Sequence, residues 1–340
     1  MAFSLPGGSA NAYGAQCAAR LACQLNGVCR PQGFKLITDH QRRSAFALAL
    51  LTSIMWGVLP LALRVLLPAM DTFTITWYRF GSAAIVVGMF LASGASLPNP
   101  LRLKAMLRLL LFAAVIGLTI NYTLFVVGVR LTTPAIAQTV TQLSSIFLLF
   151  GGLLIYRERF ARLQWLGLAL LLGGLLLFFN HRLPEIFSRR SHLGLGVLLL
   201  LVGSLSWACY GLAQKRLLRE YSSAQILWLL YVGGFLLLLP AVHPARVLEL
   251  DRPQAWALVF CCFNTLIAYG AYAQAMSLGE VTRVSATVTT SPLFALLGSA
   301  VASVWLPGFA ALEPPNLLSM VGACGVVAGS ALCALARPDT

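Results

Sequence analysis

Hydrophobic positions in this chain do not recur at a helical or strand period; they run on without interruption. Ten stretches hold no Asp, Glu, Lys or Arg at all: 44–63, 80–101, 109–129, 131–156, 163–180, 191–214, 221–245, 253–279, 284–312 and 314–336. The shortest has 18 residues and the longest 29. A bilayer core of roughly 30 Å takes roughly 20 apolar residues of helix to cross. Backbone amides in lipid have no water to bond, so a crossing segment must satisfy them internally, as a helix does. The pattern predicts an all-α integral membrane protein of ten transmembrane helices, with the lipid bilayer as its first partner. Residues 1–40 are rich in Gly, Ala, Asn and Gln and contain no long apolar run; they are expected to be a poorly ordered cytoplasmic tail rather than a signal peptide.

The spans fall into two sets. The first contains "SIMWGVLP" and the sixth "SLSWACYG". Trp56 precedes Glu158 by 102 residues, and Trp207 precedes Glu313 by 106. A Thr-Val-Thr triplet stands in the fourth span ("TVTQLSSIF", Thr139–Phe147) and again in the ninth ("TVTTSPLF", Thr287–Phe294). Each glutamate lies between the fourth and fifth span of its set. The chain therefore divides into 41–180 and 181–340, five spans in each. Five is odd, so the second set enters the membrane from the opposite side, and the expected architecture is two inverted five-helix repeats. Transporters use such repeats to open a central site to either side in turn. Glu158 and Glu313 are expected to mark helix starts, where a carboxylate favours the positive end of the helix dipole. The two prolines after Glu313 suit a first helical turn.

Charge alters the picture in one respect. The formal charge is +14, with only 10% charged residues against about 25% in soluble domains. In a membrane protein such an excess reads as orientation rather than nucleic-acid binding, since cytoplasmic loops collect Lys and Arg. Of the 24 Lys and Arg, sixteen fall in the two terminal segments and the even-numbered connections, seven in the odd-numbered connections, and Arg79 at the head of the second span. Both termini are expected in the cytoplasm. Cys17, Cys23 and Cys29 recur every six residues, which is not a zinc-pair spacing. There is no HExxH, GxSxG or Walker A sequence, so no cofactor, metal, enzymatic activity or ATP coupling is expected. Spans five and ten carry glycines (Gly167, Gly173, Gly174; Gly322, Gly325, Gly329). These give small faces for packing within the chain or against a second copy, as a homodimer.

The Trp-Gly of the first span, Arg79 in "WYRFGSAA" and "RERFARLQWLGLALLLGGLLLF" resemble the drug/metabolite transporter superfamily, EamA type, over about residues 44–337. The resemblance implies export or exchange of amino acids, metabolites or drugs across the bacterial inner membrane. The fourth span has Ser144 where a proline is often seen in that family, whereas the ninth keeps Pro292.

A transport site needs polar and aromatic groups at mid-depth. Gln138, Thr141, Gln142 and Ser145 share one stripe of the fourth span, and Ser285, Thr287, Thr289, Thr290 and Ser291 mirror it in the ninth. Asn121 and Tyr122 lie in the third span, Asn264, Tyr269 and Tyr272 in the eighth, and Trp56, Trp207 and Tyr210 in the first and sixth. Cavity lining and helix–helix hydrogen bonding are both open to these residues. Arg79 either snorkels to the outer interface or meets an anionic group in the pathway. Pro60 and Pro292 are expected to weaken their helices. No Asp or Glu lies at mid-depth in any span and all four His lie near ends or in loops, which predicts a facilitator or exchanger rather than a proton-coupled carrier. The expected function is secondary transport of a small solute; a lipid translocator or a structural subunit of a membrane complex is the alternative.

Overall fold

The computed structural model describes residues 39–94, 97–156, 162–188, 191–218, 220–278, 281–305 and 316–335. Every described regular element is helical. The tail through Thr38, Glu158 and Glu313 lie outside the described residues. The principal helices are α1 (Asp39–Leu66), α2 (Thr72–Gly94), α3 (Ala105–Leu131), α4 (Pro134–Val140), α5 (Leu143–Tyr156), α6 (Arg162–Phe179), α7 (His192–Leu217), α8 (Ser223–Leu238), α9 (Arg252–Leu278), α10 (Val281–Val288), α11 (Ser291–Trp305) and α12 (Leu317–Leu335).

Eight helical stretches among the described residues are long and apolar enough to cross a bilayer, so the chain is a multi-pass membrane protein. The difference from ten has two local causes. The run 131–156 is not one helix: it breaks after Val140 into α4 and α5, each too short to cross alone. The last run yields α12, whose apolar part, Leu317–Cys333, is somewhat shorter than the others. Its described part starts behind Asn316, whose side chain accepts from Ser319 N at 2.7 Å.

Short polar side chains set several other helix starts by taking up backbone N–H groups that the first turn leaves free. Asp71 accepts from Thr74 N at 3.0 Å, Thr133 from Ile136 N at 3.2 Å and Ser191 from Gly194 N at 3.2 Å. Ser222 and Gln225 form a reciprocal box at the head of α8. Pro60 lies inside α1 without ending it, so the expected weakening at that proline does not interrupt the helix.

Outward faces are apolar. Phe90, Leu154 and Trp256 are 68%, 77% and 73% exposed, which in water would be costly and in lipid is not. Inward, α6 packs on α12, α3 on α7, α1 on α9 and α2 on α8. Two of these pairs run antiparallel. Gly81 faces Phe235 while Gly88 faces Trp228, and Gly167 faces Gly329 and Cys333 while Gly174 faces Gly322 and Val326.

The α6–α12 contact is backbone on backbone. A Cβ at Gly174 would sit 2.5 Å from Val326 N and 2.7 Å from the Gly322 carbonyl, whereas at Gly173 it would meet nothing within 4 Å. The glycine faces of the fifth and tenth spans are thus spent on each other within the chain. Gly174→Val should lower the apparent melting midpoint of the detergent-solubilised protein by about 5 °C or more, because the helices must separate or distort. Gly173→Ala should leave it unchanged within about 2 °C. Equal effects at the two neighbours, in thermal melts followed by size-exclusion fluorescence, would refute the packing.

Candidate functional site

The chemistry gathers where two helices break. In each, the break follows the valine of a Thr-Val-Thr triplet: α4 ends at Val140 and α10 at Val288. Threonine hydroxyls there bond back to the preceding turn, Thr141 Oγ1 to the Gln138 carbonyl at 3.0 Å, Thr289 Oγ1 to Ala286 at 2.8 Å and Thr290 Oγ1 to Thr287 at 2.7 Å. These bonds compete with the helical ladder. The backbone shifts to the tighter i−3 pattern, with Ser144 N on the Thr141 carbonyl at 3.0 Å and Thr290 N on Thr287 at 3.1 Å. Pro292, in the first turn of α11, contributes no N–H. The first break forms without a proline, Ser144 standing in that position.

The two breaks are tied together. Gln138 Nε2 donates to Ser291 Oγ at 2.8 Å. Gln142 Nε2 reaches the same oxygen at 3.3 Å and the Thr289 carbonyl, also at 3.3 Å. From α1, Ser53 Oγ lies 2.8 Å from Thr290 Oγ1 and 3.4 Å from the Val288 carbonyl. Gly57 lets α1 come this close, since a Cβ there would lie 2.6 Å from the Ser291 carbonyl.

Beside the breaks is a cavity of about 580 Å³, within the range that holds small ligands. One wall is amide and hydroxyl: Gln138, Gln142, Thr141, Ser144, Ser145 and Ser291. Another is aromatic. Trp56 meets Tyr269 edge-on at 5.4 Å and Tyr272 at 5.7 Å, and Tyr122 stacks on Tyr269 at 6.4 Å. Asn121, Trp207, Arg79, Ser285 and Thr289 complete the lining named in advance from the sequence.

Arg79 does not reach for the interface. It lies about 10 Å along α2 from Thr72, at 1.5 Å per residue, and is 2% exposed. Its Nε donates to Thr265 Oγ1 at 3.1 Å, its guanidinium lies over the Tyr122 ring at 4.6 Å, and its Nη1 has no partner.

Four of the residues singled out from sequence do not line this cavity. Tyr210 is buried behind Trp207. Asn264 is fully buried and its side-chain amide donates to the Met55 carbonyl of α1. Thr290 is engaged with Ser53. Thr287 faces a separate recess of about 300 Å³ beside Arg42, Arg43 and Arg283. Asn121 does both jobs, lining the cavity while donating to the Gly203 carbonyl of α7 at 2.9 Å. Leu59, Phe125, Leu148 and Ser204 also line it. Of these only Ser204 carried a usable signal, a hydroxyl one turn before Trp207.

The EamA-like transporter family matches residues 43–180 and again 194–335. An uncharacterized transporter of Haemophilus influenzae is 39% identical over 290 residues, 85% of this chain and 94% of that one. The uncharacterized inner membrane transporter YhbE of Escherichia coli K12 is also 39% identical, over 85% of this chain and 90% of that one. A probable amino-acid metabolite efflux pump of Salmonella typhimurium is 26% identical, over 76% and 87%. One crystal structure, 20% identical, shares the fold with a TM-score of 0.59, covering 86% of this chain and 97% of that chain.

A cavity that holds water should admit a charged reagent that lipid excludes. In a background lacking the native cysteines, Ser145→Cys should react with a charged maleimide at least about tenfold faster than Gly173→Cys, because a thiol must ionise in water to react. Similar rates at the two positions would mean that the cavity is dry or closed.

Proposed function

The chain belongs to the EamA-like transporter family, and from that premise we propose that it is a secondary transporter carrying a small solute across a bacterial inner membrane by alternating access through the cavity at the two helix breaks. It is a transporter rather than an enzyme, as its family is. The observation that carries the mechanistic reading is the meeting of α4–α5 and α10–α11 at their breaks on one polar and aromatic cavity. Broken helices are tolerated at membrane depth only where they line a cavity or are buried in protein.

On this reading α4 with α5, and α10 with α11, each make one span. The ten spans then form repeats 41–180 and 181–340. The pairing of helices supports this. Exchanging the two sets of five turns α1 on α9 into α7 on α3, α1 on α11 into α7 on α5, and α2 on α9 into α8 on α3, and all of these pairs occur. The self-paired spans α2 with α8 and α6 with α12 run antiparallel, as inverted copies must. The family match to each half and the two Thr-Val-Thr breaks point the same way. The excess of Lys and Arg in the terminal segments and even-numbered connections supports cytoplasmic termini, and the similarity to an inner membrane transporter of Escherichia coli supports the inner membrane.

Among the described residues no Asp, Glu or His lines the cavity, so coupling to protons through a buried acid has no group to use. Facilitation or exchange is the proposed mode. In proteoliposomes, counterflow should appear for at least one member of a panel of organic acids, amino acids, nucleosides and amines. Gln142→Leu should cut that flux by about tenfold, two lost hydrogen bonds at about 0.6 kcal/mol each in membranes being roughly that factor. A dye for lumenal pH should not move in step with solute. No flux across the panel would sink the transport reading; proton movement stoichiometric with solute would sink the coupling reading alone.

A further inference from the structure

Among the described residues, a cation is buried without an anion beside it. Arg79 is 98% removed from solvent, and its partners among the described residues are a hydroxyl and an aromatic ring. Neither carries charge, and Nη1 bonds to nothing. Buried charges elsewhere in proteins are paired or ligated, because leaving one unpaired is strongly unfavourable. Other buried polar atoms also lack a hydrogen-bond partner among the described residues, Trp77 Nε1 and the Tyr122 hydroxyl among them, but all of these are neutral. Arg79 differs from them in carrying a full charge, and it stands on the wall of the cavity.

We propose, building on the transport reading, that Arg79 docks the anionic group of the solute, and that the solute is an organic acid with a flat apolar body. Thr265 fixes the guanidinium by holding Nε, and the Tyr122 ring holds it from its face, which leaves the Nη edge for a carboxylate in the planar fork geometry. The wall of Trp56, Tyr269 and Tyr272 takes the apolar body, and Gln138, Gln142 and Ser145 offer neutral hydrogen bonds to substituents. No carboxylate lines the cavity among the described residues, so an amine has no counter-ion. In an α-amino acid the ammonium is one carbon from the carboxylate and is carried up against the same guanidinium. The site ranks the simple acid above the zwitterion, and both above the neutral amide or the amine.

The experiment uses full-length protein in detergent and follows tryptophan fluorescence, since Trp56 and Trp207 line the cavity. Titrants are 3-phenylpropanoate, phenylalanine, 3-phenylpropanamide and phenethylamine. The acid should bind at least about thirtyfold more tightly than the amide, the scale expected of a charge pair removed from water. Arg79→Gln should bring that ratio close to one, and Arg79→Lys should keep part of it. Thr265→Val, which leaves the charge in place and frees only its orientation, should lower the ratio less than Arg79→Gln and serves if that variant misfolds. Equal binding of acid and amide by the wild-type protein, a ratio unmoved in Arg79→Gln, or no binding of the acid by folded protein each overturns the proposal. Acid binding that needs Arg79 with no flux in proteoliposomes would leave this inference standing and remove the transport reading. Flux of uncharged or cationic solutes indifferent to Arg79→Gln would do the reverse.

Discussion

In a bilayer every backbone N–H and C=O must find a partner inside the protein, and the centre of this molecule is organised by two violations of that rule. The helices are interrupted around 141–142 and 289–290 and so release carbonyls, each of which would cost several kcal/mol if orphaned within the bilayer. Side chains answer for them: Gln142 at Thr289, Ser53 near Val288, and the threonine hydroxyls at Gln138, Ala286 and Thr287. An interhelical hydrogen bond in a membrane contributes only about 0.6 kcal/mol of net stability. The amides therefore matter less as adhesive than as the removal of a larger penalty, and that is why the two breaks face each other. Each break supplies what the other lacks, and the residue is a polar space between them.

That space needs walls that hold while its ends change. The unbroken helices provide them by close backbone contact. Gly167, Gly174, Gly322 and Gly329 bring α6 and α12 together without intervening side chains, and such small-residue faces give van der Waals packing its best geometry where no hydrophobic effect drives association. Gly57 does the same for α1 against α11 at the break itself. Asn121 and Asn264 then pin α3 to α7 and α1 to α9 through carbonyls at matching levels of the two sets. A scaffold clamped at α6–α12 and broken at α4–α5 and α10–α11 concentrates its freedom beside the cavity.

Much of this was legible in the sequence. Charge-free runs marked the spans because lipid forbids unpaired charge, and the doubled Thr-Val-Thr and tryptophan landmarks divided the chain. What the triplets do locally was not legible. They read as signposts of repetition and proved to be the break points, through hydroxyl bonds that a linear pattern does not reveal. Proline misled in the opposite sense. Pro60 sits in a continuous helix, while the break at Val140 needs none. Helical spacing could say that Asn264, Tyr210, Thr287 and Thr290 sit on polar faces, but not which neighbour those faces meet. For Arg79 the two alternatives differ in three dimensions only, and burial against Tyr122 and Thr265 speaks against a side chain reaching for the interface.

The charge on Arg79 also bears on the mode of transport. With an acid docked as proposed, the loaded cavity is neutral; without one it carries a positive charge that only dipoles and water can solvate. In the proposed alternating access, rocking the protein around the site strips part of that water. It also moves the charge relative to the membrane field, worth about 2.3 kcal/mol per elementary charge per 100 mV for a full crossing. The empty carrier therefore faces a higher barrier to reorientation than the loaded one. A carrier whose empty form turns slowly exchanges solute for solute more readily than it moves solute one way. Among the described residues no Asp, Glu or His lines the cavity, which speaks against the other route, in which a proton would accompany the empty return. The proposed exchange and the proposed specificity thus rest on the same two features of the described cavity lining: one cation, and no carboxylate beside it.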